Sequence, residues 1–151
     1  MKKAGILILA LICAGLIVNG IIYKSPYNML RNVSEDQIMV AQVFVREQGR
    51  QADVTLSQDD QDAVCQLLSN IKRSDVKRIW AGSASAAASE RGIYLRLQDG
   101  SEILLKSTDI AGQYEISFDW NTSRNYKGRY GVMLPDAQIL IERHIAEGNM
   151  T

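Results

Sequence analysis

Residues 93–106, with the sequence IYLRLQDGSEILLK, favour a β-hairpin and give the starting point for the fold. Large aliphatic residues occupy every second position of the first half, at Ile93, Leu95 and Leu97. This alternation is typical of a strand with one buried face, which places Tyr94 on the opposite face. Asp99-Gly100 is a strong two-residue hairpin signal, because glycine readily adopts the positive φ that such a turn needs. Residues 102–107 are then expected to pair back as the second strand.

Other segments with a strand pattern lie on both sides of this hairpin. They are residues 38–45, 52–56, 76–80, 114–120 and, as a short strand, 130–134. Residues 38–45 are almost continuously apolar and rich in β-branched side chains, which suits a strand buried on both faces or nearly so. Residues 81–89 (AGSASAAAS) carry only small uncharged side chains and are expected to form a loop.

The clearest helix signal begins at Ser57, whose hydroxyl can accept hydrogen bonds from the first free backbone N–H groups. Aspartates follow in the first turns, where negative charge suits the helix dipole: Asp59, Asp60 and Asp62. Apolar residues then recur at helical spacing, at Ala63, Val64, Leu67, Leu68 and Ile71. Lys72 and Arg73 follow at the end, where positive charge is favoured.

A second helix is predicted over residues 135–148. Pro135 fits the first helical position, because the missing N–H has no partner to lose there. One face is apolar, with Ala137, Leu140, Ile141 and Ile145. A strand over residues 138–142 is the alternative, because the apolar run ILI is short.

These elements predict an α+β domain over residues 37–151. Hairpins dominate the order of elements, so the sheet should be mostly antiparallel, with one or two helices packed on one face. Residues 25–36 contain Pro26 and several Asn and Ser residues without a clear period. We therefore predict that residues 25–36 are a linker between the domain and the preceding segment.

The N-terminal segment predicts a transmembrane helix within residues 1–24. Residues 4–23 are uncharged and supply the ~20 residues that a spanning helix needs. Lys2 and Lys3 precede this segment, which places the N-terminus in the cytoplasm and the domain outside. A retained signal anchor is the first interpretation, and secretion after signal-peptide cleavage near Gly20 is the alternative. A lipoprotein is disfavoured, because Ile12 rather than a small residue precedes Cys13.

The charge distribution disfavours a nucleic-acid-binding function. The chain of 151 residues has 17 basic and 17 acidic residues, and the first acid is Glu35. Three of the lysines, Lys2, Lys3 and Lys24, flank the N-terminal apolar segment. The remainder is therefore mildly acidic, with three more acidic than basic residues, whereas a phosphate-binding surface needs an excess of cations.

The sequence offers no catalytic, cofactor-binding or metal-binding set. His144 is the single histidine and is expected on the surface of the second helix. Cys13 lies in the apolar segment and Cys65 in a predicted helix, so no internal disulfide is expected. Zinc-ligand spacing and phosphate-binding glycine motifs are absent from the sequence. We therefore predict a protein that is not an enzyme and needs no cofactor.

Aromatic and basic residues of the second half are the candidates for partner binding. They could form a binding face, or some of them could fill the core against the helices. The loop SRNYKGRY at residues 123–130 places cations beside tyrosines and could contact anionic material. The candidate partner-binding residues are Tyr94, Trp120, Arg124, Tyr126, Lys127 and Arg129.

The order of segments resembles small, largely uncharacterised, membrane-anchored envelope proteins of Gram-positive bacteria. The shared features are the MKK start with an apolar helix, a strand pair, LSQDDQDAVCQLLSNIK and a strand that ends in the turn of YLRLQDGSEILLK. The resemblance implies a non-enzymatic, membrane-anchored binding domain outside the cytoplasmic membrane. Another envelope protein or a wall polymer is the expected partner. A structural or assembly subunit of a membrane complex is the alternative, followed by a small envelope hydrolase.

Overall fold

The computed structural model describes residues 8, 10–15, 25–47, 50–79, 89–119 and 129–147. After the helical residues 10–15, the domain has three α-helices, α1 (Pro26–Arg31), α2 (Gln58–Ser69) and α3 (Pro135–Ala146). Seven strands are β1 (Ile38–Glu47), β2 (Arg50–Thr55), β3 (Val76–Ile79), β4 (Ser89–Leu97), β5 (Glu102–Ser107), β6 (Gln113–Asp119) and β7 (Arg129–Met133). Single 3-10 turns precede β1 at Glu35–Gln37 and β3 at Arg73–Asp75.

The seven strands form one sheet in the order β2-β1-β4-β5-β6-β7-β3. Every pair of neighbours is antiparallel, which confirms the predicted α+β class with a mostly antiparallel sheet. β2 and β3 form the two edges, and α2 joins them in sequence. The chain therefore passes from one edge of the sheet to the other through α2.

The alternation in residues 93–106 correctly predicts the two faces of the central hairpin. Ile93 pairs with Leu105 and Leu95 pairs with Ile103, and all four side chains are buried. Tyr94 pairs with Leu104 on the opposite face, where both are only half-buried. We call the face with Ile93 the inner face and the face with Tyr94 the outer face.

The core lies between the inner face and the three helices. Its helical side chains are Leu30 and, in the longer helices, Val64, Leu68, Ala137, Leu140 and Ile141. Both predicted helices are present, and residues 135–146 are helical rather than a strand. The sequence predicted one or two packed helices, and the structure has three.

The third helix is α1, which lies within the predicted linker at residues 25–36. Ser25 accepts a hydrogen bond from the Asn28 N–H group, and Pro26 occupies the first turn. Leu30 is fully buried in the core, and Val33 beyond the helix is buried as well. A helix of six residues is too short to show a helical period, which is why the sequence pattern gave no signal. These residues are folded on to the domain.

β1 is longer than predicted and carries one large apolar residue on the outer face. Phe44 pairs with Gly92 of β4 and is 2% exposed, but it is not part of the core cluster. The Arg46 guanidinium lies over its ring, 5.3 Å from the ring centre. Residues 38–45 thus bury apolar side chains on both faces, as their composition predicts.

The predicted membrane segment lies mostly outside the described residues. Residues 10–15 are helical, and the described apolar side chains in this region are exposed, with Ile8 at 58%, Leu11 at 66% and Ile12 at 54%. No helix within the described part of the chain is long and apolar enough to cross a membrane. The predicted ends of strands at Trp80 and Trp120 and the loops at 81–88 and 121–128 also lie outside the described residues.

Candidate functional site

Two of the six predicted partner-binding residues, Tyr94 and Arg129, belong to the described part of the chain. Both lie on the outer face, Tyr94 on β4 and Arg129 on β7, with β5 and β6 between them. The Tyr94 hydroxyl donates a hydrogen bond of 2.7 Å to Glu102. The other four predicted residues, Trp120, Arg124, Tyr126 and Lys127, lie outside the described residues.

Two cations of the outer face, Arg129 and Lys106, are paired with neighbouring carboxylates. Arg129 donates two hydrogen bonds of 2.5 Å to the two oxygens of Glu115. This contact lowers the pKa of Glu115 against the opposing effect of its partial burial, and the charges of Arg129 and Lys106 lower it further. Lys106 forms an ion pair of 3.0 Å with Glu90. Because these charges neutralise one another, this part of the outer face does not form a basic surface.

A groove between α2 and α3 is an open cavity with an apolar floor. Its volume is about 490 Å³, and its floor is formed by Ala63 and Leu67 of α2 and Ile139 and Leu140 of α3. Ile139 is 67% exposed, the highest value among the large apolar residues of the described domain. The polar walls contain Asp59, Gln66 and Asn70 of α2 and Asp136 of α3. We call this cavity the interhelical groove.

Helical periodicity explains why these side chains share one groove. Positions 59, 63, 66 and 70 are separated by three or four residues and therefore line one stripe of α2. On α3, positions 139 and 140 both lie three or four residues from positions 136 and 143, so these four positions also line one stripe. The remaining apolar positions, such as Leu68 and Ile141, point to the sheet and are buried. Each helix thus has one stripe on the core and a second along the groove.

One end of the groove is closed by contacts to Asp60. The Ser57 hydroxyl donates a 2.8 Å hydrogen bond to Asp60 Oδ2, and the Asp60 N–H group donates back to Ser57 Oγ at 3.3 Å. Arg143 donates a hydrogen bond to Asp60 Oδ1. His144 Nε2 lies 3.2 Å from Asp60 Oδ2. The start of α2 is therefore joined to the end of α3.

His144 is buried, so the sequence-based prediction of a surface histidine was wrong. His144 is 6% exposed, and its Nδ1 atom is buried without a hydrogen-bond partner among the described residues. Its other ring nitrogen, Nε2, lies against the Asp60 carboxylate and can donate a hydrogen bond to it. The sequence could have indicated this, since position 144 falls on the same helical face as Leu140 and Ile141.

The Ser57, Asp60 and His144 contacts do not form a nucleophile–base pair. A serine nucleophile must be bonded to its base, but the Ser57 hydroxyl is bonded to Asp60 and not to His144. Burial acts to raise the pKa of Asp60, but the hydrogen bond from Ser57 and the charges of Arg143 and His144 outweigh it and lower the pKa. Asp60 therefore stays ionised and connects the two helices.

We expect Asp60→Asn to destabilise the domain by about 1–2 kcal/mol near neutral pH, because a charged hydrogen-bond acceptor is lost. The pKa of Asp60 in the folded protein lies below its ordinary value of 3.8. The unfolded chain therefore binds the proton more readily, so the stabilisation is present above about pH 4 and is lost as the pH falls further. Urea unfolding at several pH values measures this, with the exposed neighbour Asp59→Asn as a control. A stability difference that stays constant down to about pH 3 would contradict this role for Asp60.

Two smaller cavities lie at other places in the domain. One of about 340 Å³ lies beside α1 and the β4–β5 turn, and its lining includes Met29, Gln37 and Asp99. Another of about 130 Å³ is lined by Tyr114, Arg91 and Glu142 among others. Burial, with a contribution from the Glu142 charge, raises the pKa of Tyr114 to about 12, so its hydroxyl stays protonated near neutral pH.

Metal ligands and reactive thiols are also scarce in the described part of the chain. No group of three His, Cys, Asp or Glu side chains there could hold a metal ion. Cys13 and Cys65 are both free. Burial raises the pKa of the Cys65 thiol, and the nearby charges of Glu35, Asp62 and Asp36 raise it further. The Cys65 thiol is therefore poorly suited to act as a nucleophile.

Comparison with known proteins adds no family to these observations. No family model, curated protein or solved structure matches this chain. The interpretation of the groove therefore rests on its own geometry and chemistry.

Proposed function

We propose that this protein is a membrane-anchored, extracytoplasmic binding domain without enzymatic activity, and that the interhelical groove is its binding surface. The observation that carries the proposal is the exposure of Ile139, which is part of the apolar floor of the groove. Fully burying such a side chain is worth about 1.5–3 kcal/mol relative to leaving it exposed. A partner that covers Ile139 together with Leu67 gains this energy.

The residues that could carry chemistry support binding rather than catalysis. Asp60 and His144 face each other and connect α2 to α3. The Ser57 hydroxyl is engaged with Asp60, and Tyr114 remains protonated at neutral pH. A binding function uses the groove as a surface and leaves these contacts in place.

The N-terminal segment supports anchorage. Its described apolar side chains, Ile8, Leu11 and Ile12, are more than half exposed, so the domain does not bury them. A bilayer is the environment in which such a segment loses its contact with water. Only two residues lie between position 23 and Pro26, so these positions are at most about 11 Å apart. An anchored chain would therefore hold α1 close to the membrane surface.

We expect Ile139→Asp to reduce capture of the partner about tenfold or more, because a carboxylate would replace an apolar contact. The experiment is chemical crosslinking in native membranes, followed by pull-down of the full-length chain. Ile110→Asp is the matched control, because Ile110 is 49% exposed but lies in the turn before β6. Equal losses in both variants, or no loss in either, would argue against the groove. Capture that depends only on the N-terminal segment would favour the structural-subunit alternative.

A further inference from the structure

We propose that the occupant of the interhelical groove is an amphipathic α-helix of a partner protein that carries cationic side chains near both ends of its contact with the groove. This inference rests on the proposed binding function and adds the chemistry of the partner. It is carried by three properties of the groove, which are its shape, its floor and the placement of its charges.

The shape of the groove matches a helix. Asp60 at the start of α2 contacts Arg143 and His144 at the end of α3, so the two helices run in opposite directions. Both helices have 12 residues, which corresponds to a length of about 18 Å. Two helices side by side leave a furrow that a third helix, about 10 Å across, can occupy by packing its side chains between theirs.

The floor of the groove offers apolar contacts to a helical partner. Leu67 and Ile139 contribute the large apolar side chains, and Ala63 leaves room between them. Helices that bind grooves insert apolar residues at positions i, i+3 or i+4 and i+7. A segment of about three turns would present such a row to the floor.

The charges of the groove favour a partner helix that carries positive charge. Asp59 and Asp136 are exposed, and neither forms an ion pair within the described part of the chain. Each lies in the first turn of its helix, where the dipole stabilises a carboxylate without neutralising it. The one cation of the lining, Arg143, is paired with Asp60. The groove therefore keeps two uncompensated negative charges.

The positions of these two carboxylates determine where the partner must carry its cations. Because α2 and α3 are antiparallel, their first turns lie at opposite ends of the groove. Asp59 therefore marks one end and Asp136 the other. Lysine or arginine near both ends of a three-turn apolar row would meet both charges, and an acidic helix would be repelled at both ends.

A peptide-binding measurement tests this inference on the full-length protein in phosphatidylcholine nanodiscs. The probe is a fluorescent 14-residue amphipathic peptide of leucine and lysine, and a leucine–glutamate peptide of equal length is the comparison. We expect the lysine peptide to bind at least tenfold more tightly than the glutamate peptide. Ile139→Asn, which removes the apolar contact without adding a charge, should weaken lysine-peptide binding about tenfold. Asp59→Asn with Asp136→Asn should weaken it several-fold and reduce its dependence on salt.

Matched controls come from the turn before β6, where Asp109 and Ile110 are both exposed. Asp109→Asn and Ile110→Asn should bind the lysine peptide as the unchanged protein does, and empty nanodiscs correct for binding to lipid. Circular dichroism confirms folding, and the double Asn variant changes only exposed side chains. Equal binding of the two peptides, or equal loss in the groove and control variants, would overturn the inference. If membrane capture depends on Ile139 while the lysine peptide does not bind, the groove is a binding surface and the inferred partner chemistry is wrong.

Discussion

Replacing Gly92 by alanine is expected to destabilise the domain by about 3 kcal/mol or more, because the added methyl group has no space. A Cβ atom at this position would lie 1.9 Å from the Leu105 carbonyl oxygen and 2.7 Å from the Phe44 ring. The carbonyl belongs to the backbone of β5 and cannot move without disturbing the centre of the sheet. Phe44 of β1 pairs directly with Gly92 of β4, so its ring occupies the space that a side chain at position 92 would need. The measurement is the free energy of unfolding from urea denaturation.

Gly131→Ala is the matched control for this substitution. The Cβ atom would there meet Ile79 Cδ1 at 2.7 Å, and this is the end of a flexible side chain. The nearest backbone atom is the Tyr114 carbonyl oxygen at 3.5 Å, an ordinary contact distance. We expect a loss below about 1 kcal/mol, since Ile79 can change its rotamer. Similar losses for the two variants would mean that the close packing around Gly92 is not as described.

Leu30→Ala is expected to cost about 2–5 kcal/mol, the range for truncating a fully buried leucine. Leu30 has no exposed surface and lies in the core cluster with residues of α2 and the inner face. Its loss would leave a cavity beneath α1 that a six-residue helix cannot close by itself. The same denaturation experiment measures this effect.

Met39→Ala provides the control for Leu30→Ala, because Met39 is 64% exposed and close in sequence. Its substitution should change the free energy of unfolding by less than about 0.5 kcal/mol. If Leu30→Ala were equally mild, α1 would not be part of the folded core. Residues 25–36 would then be a linker, as predicted from the sequence, and the domain would begin at β1.

Most of the fold could be predicted from the sequence because its strongest patterns are local. Ser57 with the acids and apolar residues that follow it predicts α2. Asp99-Gly100 correctly marks the turn between β4 and β5, with Gly100 at a φ of 83°, but the connection covers residues 98–101 rather than two residues. Strand order could not be predicted in this way, because β3 pairs with β7, whose residues lie 50 or more positions later in the chain. The helix α1 was missed because six residues do not reveal a period.

The candidate site was harder to predict because it arises between two helices. The apolar face assigned to α3 from its sequence omitted Ile139, which is out of phase with Leu140 and Ile141. A large apolar residue outside the buried face of a helix is the sequence signal that could have indicated the groove. The contact between Asp60 and His144 joins residues 84 positions apart, and no local pattern indicates it. Conversely, the outer-face pairing of Arg129 with Glu115 shows that a sequence-predicted cation can be neutralised by its neighbour.

Labelling at position 139 in intact cells tests the central claim most directly, because it examines topology and binding together. A single cysteine is placed by Ile139→Cys in a chain with Cys13→Ser and Cys65→Ser, and a membrane-impermeant maleimide with a photoreactive group is added. Arg96→Cys on the exposed outer face and Ile110→Cys serve as comparisons. We predict labelling at all three positions in unbroken cells and, after illumination, a covalent adduct with one discrete protein from position 139 alone. Labelling that requires broken cells, or an adduct from position 96 instead of 139, would contradict the account.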